Sequence, residues 1–146
     1  MRRPLAIILV ALSAVCCTKP GSYEEFIRAK DASEGVYSFD LDMSDEGCSY
    51  DISLFTKLDT RVFGRRTSES MPLAVIWSSG DSLSFSETVY YPLDRTIVPY
   101  RSGVVLQHPG NWTIRFNVLT APKGLRGLGI ICKRNDNGTR QTSEVR

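Results

Sequence analysis

Apolar residues recur at every second position in three segments of this 146-residue chain. Tyr37, Phe39, Leu41 and Met43 alternate with Ser38, Asp40 and Asp42. Tyr50, Ile52 and Leu54 alternate with Asp51 and Ser53, and Trp112, Ile114, Phe116 and Val118 alternate with Thr113, Arg115 and Asn117. A period of two is the period of an extended strand and places the apolar set on one face. Such a face must be covered by a second layer. Residues 73–77 (LAVIW) form a continuous apolar run, which predicts a strand buried on both sides. Leu83, Phe85 and Val89 to Tyr91 supply a returning strand, and residues 128–132 (LGIIC) a last one. Turn-forming clusters separate these runs, and no long stretch has helical periodicity. The expected fold is all-β: an antiparallel β-sandwich of six to eight strands spanning residues 36–134.

The connections carry further expectations. Asp45, Glu46 and Gly47 are so short a link that the strands on either side predict an antiparallel hairpin. Residues 92–110 hold Pro92, Pro99 and Pro109 and read as a long connection with a short strand near Val104, Val105 and Leu106. Residues 17–35 read as a tether followed by a short helical turn, because Ser22 and Glu25 have the spacing of a capping box. Residues 135–146 are polar, lack an apolar face and read as a flexible tail.

The N-terminus precedes the sandwich with a different pattern. Arg2 and Arg3 lead into eleven apolar or small residues, 5–15 (LAIILVALSAV), and then Cys16 and Cys17. Eleven residues suit the apolar region of an export signal and are too few for a membrane span of about 20. An apolar stretch ending in cysteine resembles a bacterial lipoprotein signal. Residues 1–16 are then the signal peptide and Cys17 carries the lipid, with Cys16 as the alternative position. Each buried CH₂ contributes about 0.8 kcal/mol, so two or three acyl chains hold firmly where one holds marginally. Surface-exposed lipoproteins of the kind this leader resembles tend to carry acids just after the cysteine; Thr18, Lys19 and Pro20 follow it here, so the resemblance implies the periplasm-facing side of the outer membrane. Export also exposes Cys48 and Cys132 to an oxidising compartment. Two readings stay open there: a disulfide, contributing on the order of 4 kcal/mol across so long a loop, or two free thiols.

Once residues 1–16 are removed, sixteen basic and sixteen acidic side chains remain, so the chain is formally neutral. The signs are segregated: residues 17–60 hold ten acids and four bases, residues 61–146 twelve bases and six acids. Opposite charges can then meet across neighbouring strands. The aromatics are spaced like core residues, so a nucleic-acid surface is not expected. Arg61, Arg65 and Arg66 read as part of a solvated loop.

Few residues suggest chemistry. His108 is the sole histidine and lies between Gln107 and Pro109, in a surface loop. No G-x-S-x-G elbow accompanies it. Asp40 and Asp42 share a strand face opposite the apolar set, where carboxylates are solvated. With one histidine and no C-x-x-C pair, neither a metal nor another cofactor is expected. Gly124 to Gly129 spells G-x-x-G-x-G but leads into a strand, so it is not a phosphate-binding loop. The sequons at Asn111 and Asn137 read as coincidental in a bacterial chain. Tyr90, Tyr91 and Tyr100 are candidates for a contact surface, or for caps on the core. Trp77 and Tyr100 are the aromatics a carbohydrate- or peptide-binding module would use.

Four features together carry a family likeness: the signal ending at Cys17; Phe39-Asp40-Leu41-Asp42 leading to Tyr50-Asp51-Ile52-Ser53-Leu54; the apolar run 73–77; and the closing segments 110–116 (GNWTIRF) and 125–130 (LRGLGI). In these the chain resembles the gliding-motility lipoprotein H (GldH-like) family of Bacteroidetes. The resemblance implies a non-enzymatic, lipid-anchored accessory protein that binds other envelope proteins, within a gliding-motility or secretion-type assembly.

Overall fold

The computed structural model describes residues 21–59, 69–80 and 83–136. Cys16, Cys17, the Arg61–Arg65–Arg66 cluster and the sequon at Asn137 lie outside the described residues. Eight strands follow one another: β1 (Ser22–Arg28), β2 (Val36–Met43), β3 (Cys48–Leu58), β4 (Ser70–Ser79), β5 (Leu83–Pro92), β6 (Ile97–Val104), β7 (Gly110–Val118) and β8 (Leu125–Asp136). They form two four-stranded sheets, β1-β8-β3-β6 (sheet I) and β2-β7-β4-β5 (sheet II), with every neighbouring pair antiparallel. The expected β-sandwich is the observed fold, at eight strands.

The alternation decides which residues face inward. Sheet II contributes Phe39, Leu41 and Met43, then Leu73, Val75 and Trp77, then Ile114 and Phe116. Sheet I answers with Tyr50, Ile52, Leu54, Leu128 and Ile130. Full burial of each such side chain contributes about 1.5–3 kcal/mol. Phe39 meets Phe116 edge to face, with ring centroids 6.0 Å apart. Run 73–77 departs from expectation: Leu73, Val75 and Trp77 are buried, but Ile76 is 40% exposed. A two-layer sandwich has no third layer to cover the outer face of sheet II.

The strands flanking the 44–47 link do not form a hairpin. β2 pairs with β7 from Val36↔Asn117 to Met43↔Gly110, whereas β3 pairs with β8 and β6 in the other sheet. Four residues of link suffice to cross the ~10 Å between sheets. The crossing puts the two apolar faces opposite each other, where each covers the other.

The helical turn expected from Ser22 and Glu25 is also absent: β1 is a strand, in register from Ser22↔Lys133 to Arg28↔Gly127. β8 offers an open edge, and Ile27 on β1 packs against the core. Tertiary pairing overrides the local capping signal. Within the 92–110 connection, β6 begins at Ile97 and carries Pro99 as an edge strand, with register shifts against β3 around Ile52. β8 runs on to Asp136, so the polar end is paired two residues further than expected.

The leucine–glycine ending has a steric cause. A Cβ at Gly129 would lie 2.2 Å from Phe55 Cζ, and one at Gly127 would lie 2.2 Å from the Ile27 carbonyl oxygen and 2.6 Å from Phe26 Cζ. Phe26 and Phe55 cover these two glycines on the outer face of sheet I and stack on each other, 5.7 Å between centroids. Lys57 Nζ lies 4.9 Å from the Phe26 centroid, a cation–π contact.

The register also decides the cysteine question. Cys48 faces Asp136, and Cys132 faces Ile52, four residues further along β3. At about 3.3 Å per residue that is roughly 13 Å along the strand. A disulfide needs Cα atoms within about 7 Å. The possible Cys48–Cys132 bond is therefore not made, and both thiols are free. Burial pushes the Cys132 thiol up to about 11. Burial and the neighbouring Asp136 carboxylate raise Cys48 as well.

This packing has three testable consequences. Gly127→Ala should destabilise the domain by about 1–3 kcal/mol in urea unfolding, because a backbone carbonyl cannot move aside. Gly129→Ala should cost measurably less when Phe55 is also truncated to Ala; equal costs in both backgrounds would show that the ring is not the obstacle. Under aerobic conditions both Cys48 and Cys132 should alkylate, Cys48 in the folded state and Cys132 only after denaturation, as read by mass spectrometry.

Candidate functional site

β5 and β6 are edge strands of different sheets that meet along one side of the sandwich. Glu87 on β5 faces inward and joins them. Arg101 Nη2 donates to Glu87 Oε2 at 2.6 Å, and the Tyr100 hydroxyl donates to Glu87 Oε1. Behind them Trp77 Nε1 donates to the Tyr100 hydroxyl oxygen at 2.9 Å. Arg101 also lies over the Tyr100 ring, 5.6 Å from its centroid. Burial works to raise the Glu87 carboxyl, but its bonds from Arg101 and Tyr100 outweigh that and hold it below its ordinary value. Burial, reinforced by the Glu87 hydrogen bond, pushes the Tyr100 hydroxyl up to about 12.

The three candidate tyrosines divide. Tyr90 points outward and is 69% exposed. Tyr91 points inward and is buried, with its hydroxyl donating to the Thr96 carbonyl at 2.8 Å. It is a core cap and not a contact residue. Tyr100 is half-buried in the network just described. Consecutive residues on a strand face opposite sides, so Tyr90 and Tyr91 could not both be presented. Trp77 is 2% exposed, with Phe85 stacked on it at 5.4 Å and Trp112 edge-on at 6.1 Å. It offers no open ring face for a sugar. Phe85, which the sequence placed only as a strand residue, is 45% exposed and rims a mostly apolar recess of about 280 Å³ with Trp112, Val105, Leu106 and the Arg101 side chain.

The free side of β5 has a regular backbone. Its ten pairs with β4 run from Ser70↔Pro92 to Ser79↔Leu83 without a bulge. The Leu93 N–H donates to the Glu69 carbonyl at 3.0 Å in the same register. Odd-numbered residues of β5 therefore bond to β4, and Ser84, Ser86, Thr88 and Tyr90 turn their backbone groups to the open edge. Pro92 also falls on the open side, where its missing N–H costs nothing. The other edges are defended in ways known to discourage strand addition. β1 carries Glu24, Glu25 and Arg28; β2 carries Asp40 and Asp42. β6 has Pro99 and irregular register. The single charge of β5, Glu87, is turned inward to Tyr100 and Arg101.

Other sequence candidates are scattered. Asp40 and Asp42 are exposed and accept bonds from Thr113 Oγ1 and the Ser44 backbone N–H. His108 is exposed in a loop, and its carbonyl accepts from Trp112 Nε1 at 3.1 Å. Among the described residues no group of three or more histidine, cysteine or acidic side chains is arranged to hold a metal. No protein-family model matches the chain, and comparison with curated proteins finds no similar one.

The Glu87 staple gives a prediction with a definite sign. A carboxyl held low in the fold contributes stability above its unfolded value that is lost as pH falls through the folded one. A hydroxyl held at about 12 contributes stability below its unfolded value of 10.0 that is lost as pH rises toward 12. Tyr100→Phe leaves the Trp77 N–H without its acceptor and should cost about 1–3 kcal/mol at neutral pH. In that variant the alkaline loss of stability should flatten, and Glu87→Gln should flatten the acid limb, both read from urea midpoints across pH.

Proposed function

We propose that this protein is a lipid-anchored accessory component of a bacterial cell envelope, without a catalytic role, that holds other envelope proteins by strand addition at the β5 edge. The observation that carries this reading is the contrast among the four edges. Among the described residues β5 alone is long, regular and uncharged on its open side, and the Phe85–Trp112 recess lies beside it. An extended segment of a partner would gain backbone hydrogen bonds from Ser84, Ser86, Thr88 and Tyr90, and could place an apolar side chain in the recess. The second reading, a carbohydrate- or peptide-binding module, converges on the same place in its peptide form, since Trp77 is closed to sugars.

The anchor reading rests on the leader and on the short spacer behind it. The Gly21 carbonyl already accepts from the Arg134 N–H at 2.8 Å, so the ladder begins four residues after Cys17. Four residues reach at most about 14 Å. A domain confined that close to a bilayer meets its partners at raised effective concentration. Placement in the periplasm-facing leaflet of the outer membrane follows the absence of an acid at Thr18, Lys19 and Pro20, and placement in a gliding-motility or secretion-type assembly of Bacteroidetes follows the family resemblance.

Two measurements test the reading. Fatty-acid analogue labelling should be lost in Cys17→Ala and kept in Cys16→Ala; labelling that survives both substitutions would end the lipoprotein idea. A photo-crosslinker at Tyr90 should capture one defined envelope protein in living cells, while one at Ser38 on the β2 outer face should not. The double variant Ser86→Lys, Thr88→Lys, folded as judged by its urea midpoint, should cut that crosslink at least tenfold. An unchanged crosslink would remove β5 as the contact.

A further inference from the structure

The outer face of sheet I ends in a cluster of cations. Arg28 and Lys30, at and after the end of β1, Lys57 on β3 and Arg126 on β8 line a cleft of about 470 Å³ together with Phe26. Two of these have acidic partners: Arg28 Nε bonds Asp31 at 2.6 Å, and Arg126 Nη2 bonds Asp59 at 3.0 Å. Each guanidinium keeps further donors free after one such contact. Lys57 rests on the Phe26 ring, and Lys30 has no acidic partner among the described residues. The cleft is thus net positive, with a half-buried aromatic ring held in place by Phe55 and seated over Gly127.

Position decides what such a patch meets. β1 is the strand that leaves the tether, and the ladder is already closed at Gly21. The cleft lies at the other end of the same strand, about 23 Å away at 3.3 Å per residue. With only residues 18–20 between the anchor cysteine and the ladder, the domain cannot stand far from the bilayer. Cations around an aromatic ring are the side-chain chemistry of a membrane interface. We infer that this cleft docks on the anionic phospholipid surface of the bilayer that holds the anchor, so that sheet I lies against the membrane. This rests on the anchor proposal for its geometry and extends it from a tether to an orientation. Sheet I is then membrane-proximal, and the β5 edge, which belongs to sheet II, lies on the layer turned away from the bilayer and is open to partners.

The test uses the mature chain from residue 18, made without lipid, and vesicles of phosphatidylcholine with or without 30% phosphatidylglycerol. Weak partitioning to the anionic vesicles is expected, falling with added salt, and nearly none to the neutral ones. Lys30→Gln and Lys57→Gln should each weaken it about fivefold. With a nitroxide lipid, NMR amide signals of Phe26, Arg28, Lys30 and Lys57 should broaden while those of Thr88 and Tyr90 stay sharp. Equal binding to neutral vesicles, no binding to either, or broadening centred on another face would each overturn the inference. Saturable binding of inorganic phosphate or glucose 6-phosphate in the same cleft without vesicle binding would also overturn it, assigning the cleft to a soluble anion. Failure of Cys17 labelling with intact vesicle binding would instead remove the anchor and leave the membrane face standing.

Discussion

Everything in this fold depends on β8 finding β3 and β1. β8 is the last strand among the described residues, yet it sits between those two early strands and supplies Leu128, Ile130 and Cys132 to the core. Its pairing with β3 extends from Cys48↔Asp136 to Leu58↔Leu125. Partners such as Ser22 and Lys133 are more than a hundred residues apart in sequence. Loop-closure entropy must be overcome before such contacts reward the chain, so folding is dominated by long-range pairing. The glycines make this pairing possible on the outer side. Without Cβ atoms at 127 and 129, Phe26 and Phe55 can lie down on β8, and the ladder is clasped by rings on one face and by the core on the other.

Sheet II repeats the plan with β7 between β2 and β4. The two sides of the sandwich are nonetheless finished differently. At the β5–β6 side the sheets are joined by the Trp77–Tyr100–Glu87–Arg101 chain, which neutralises the sole acid of β5 and takes it off the edge. The same network that closes the core thereby leaves a neutral, regular strand edge. At the β1 side the charges stay outside: β1 and its neighbours present cations around Phe26. The cations gathered there are not a product of the charge order along the chain: Arg28, Lys30 and Lys57 come from its acid-rich early part, and strand pairing brings them beside Arg126.

The fold is legible in the sequence where side-chain period alone settles the answer. Phe39, Ile52, Ile114 and Phe116 alternate strictly and are all fully buried. The fold is not legible where one strand has two possible partners. The 45–47 link looks like a hairpin turn, yet β2 and β3 part into different sheets, because local sequence cannot say whether a neighbour or a distant strand covers a face. The capping-box spacing at Ser22 and Glu25 was a real local signal, outcompeted by the open edge of β8. For the candidate site, Tyr90 and Tyr100 were legible as candidates, but the free edge of β5 was not. An edge is defined by the absence of a neighbour, which no residue in the strand records.

The sequence by itself determined the all-β sandwich, the inward residues of most strands and the acidic-to-basic charge order, because these follow from side-chain alternation and composition. Only the tertiary structure decided that Cys48 and Cys132 stand apart, that Tyr91 is sealed while Tyr90 is presented, and that Gly127 and Gly129 seat two aromatic rings. Those outcomes depend on which strands become neighbours and in what register, and register is fixed by the cooperative burial of both apolar faces at once.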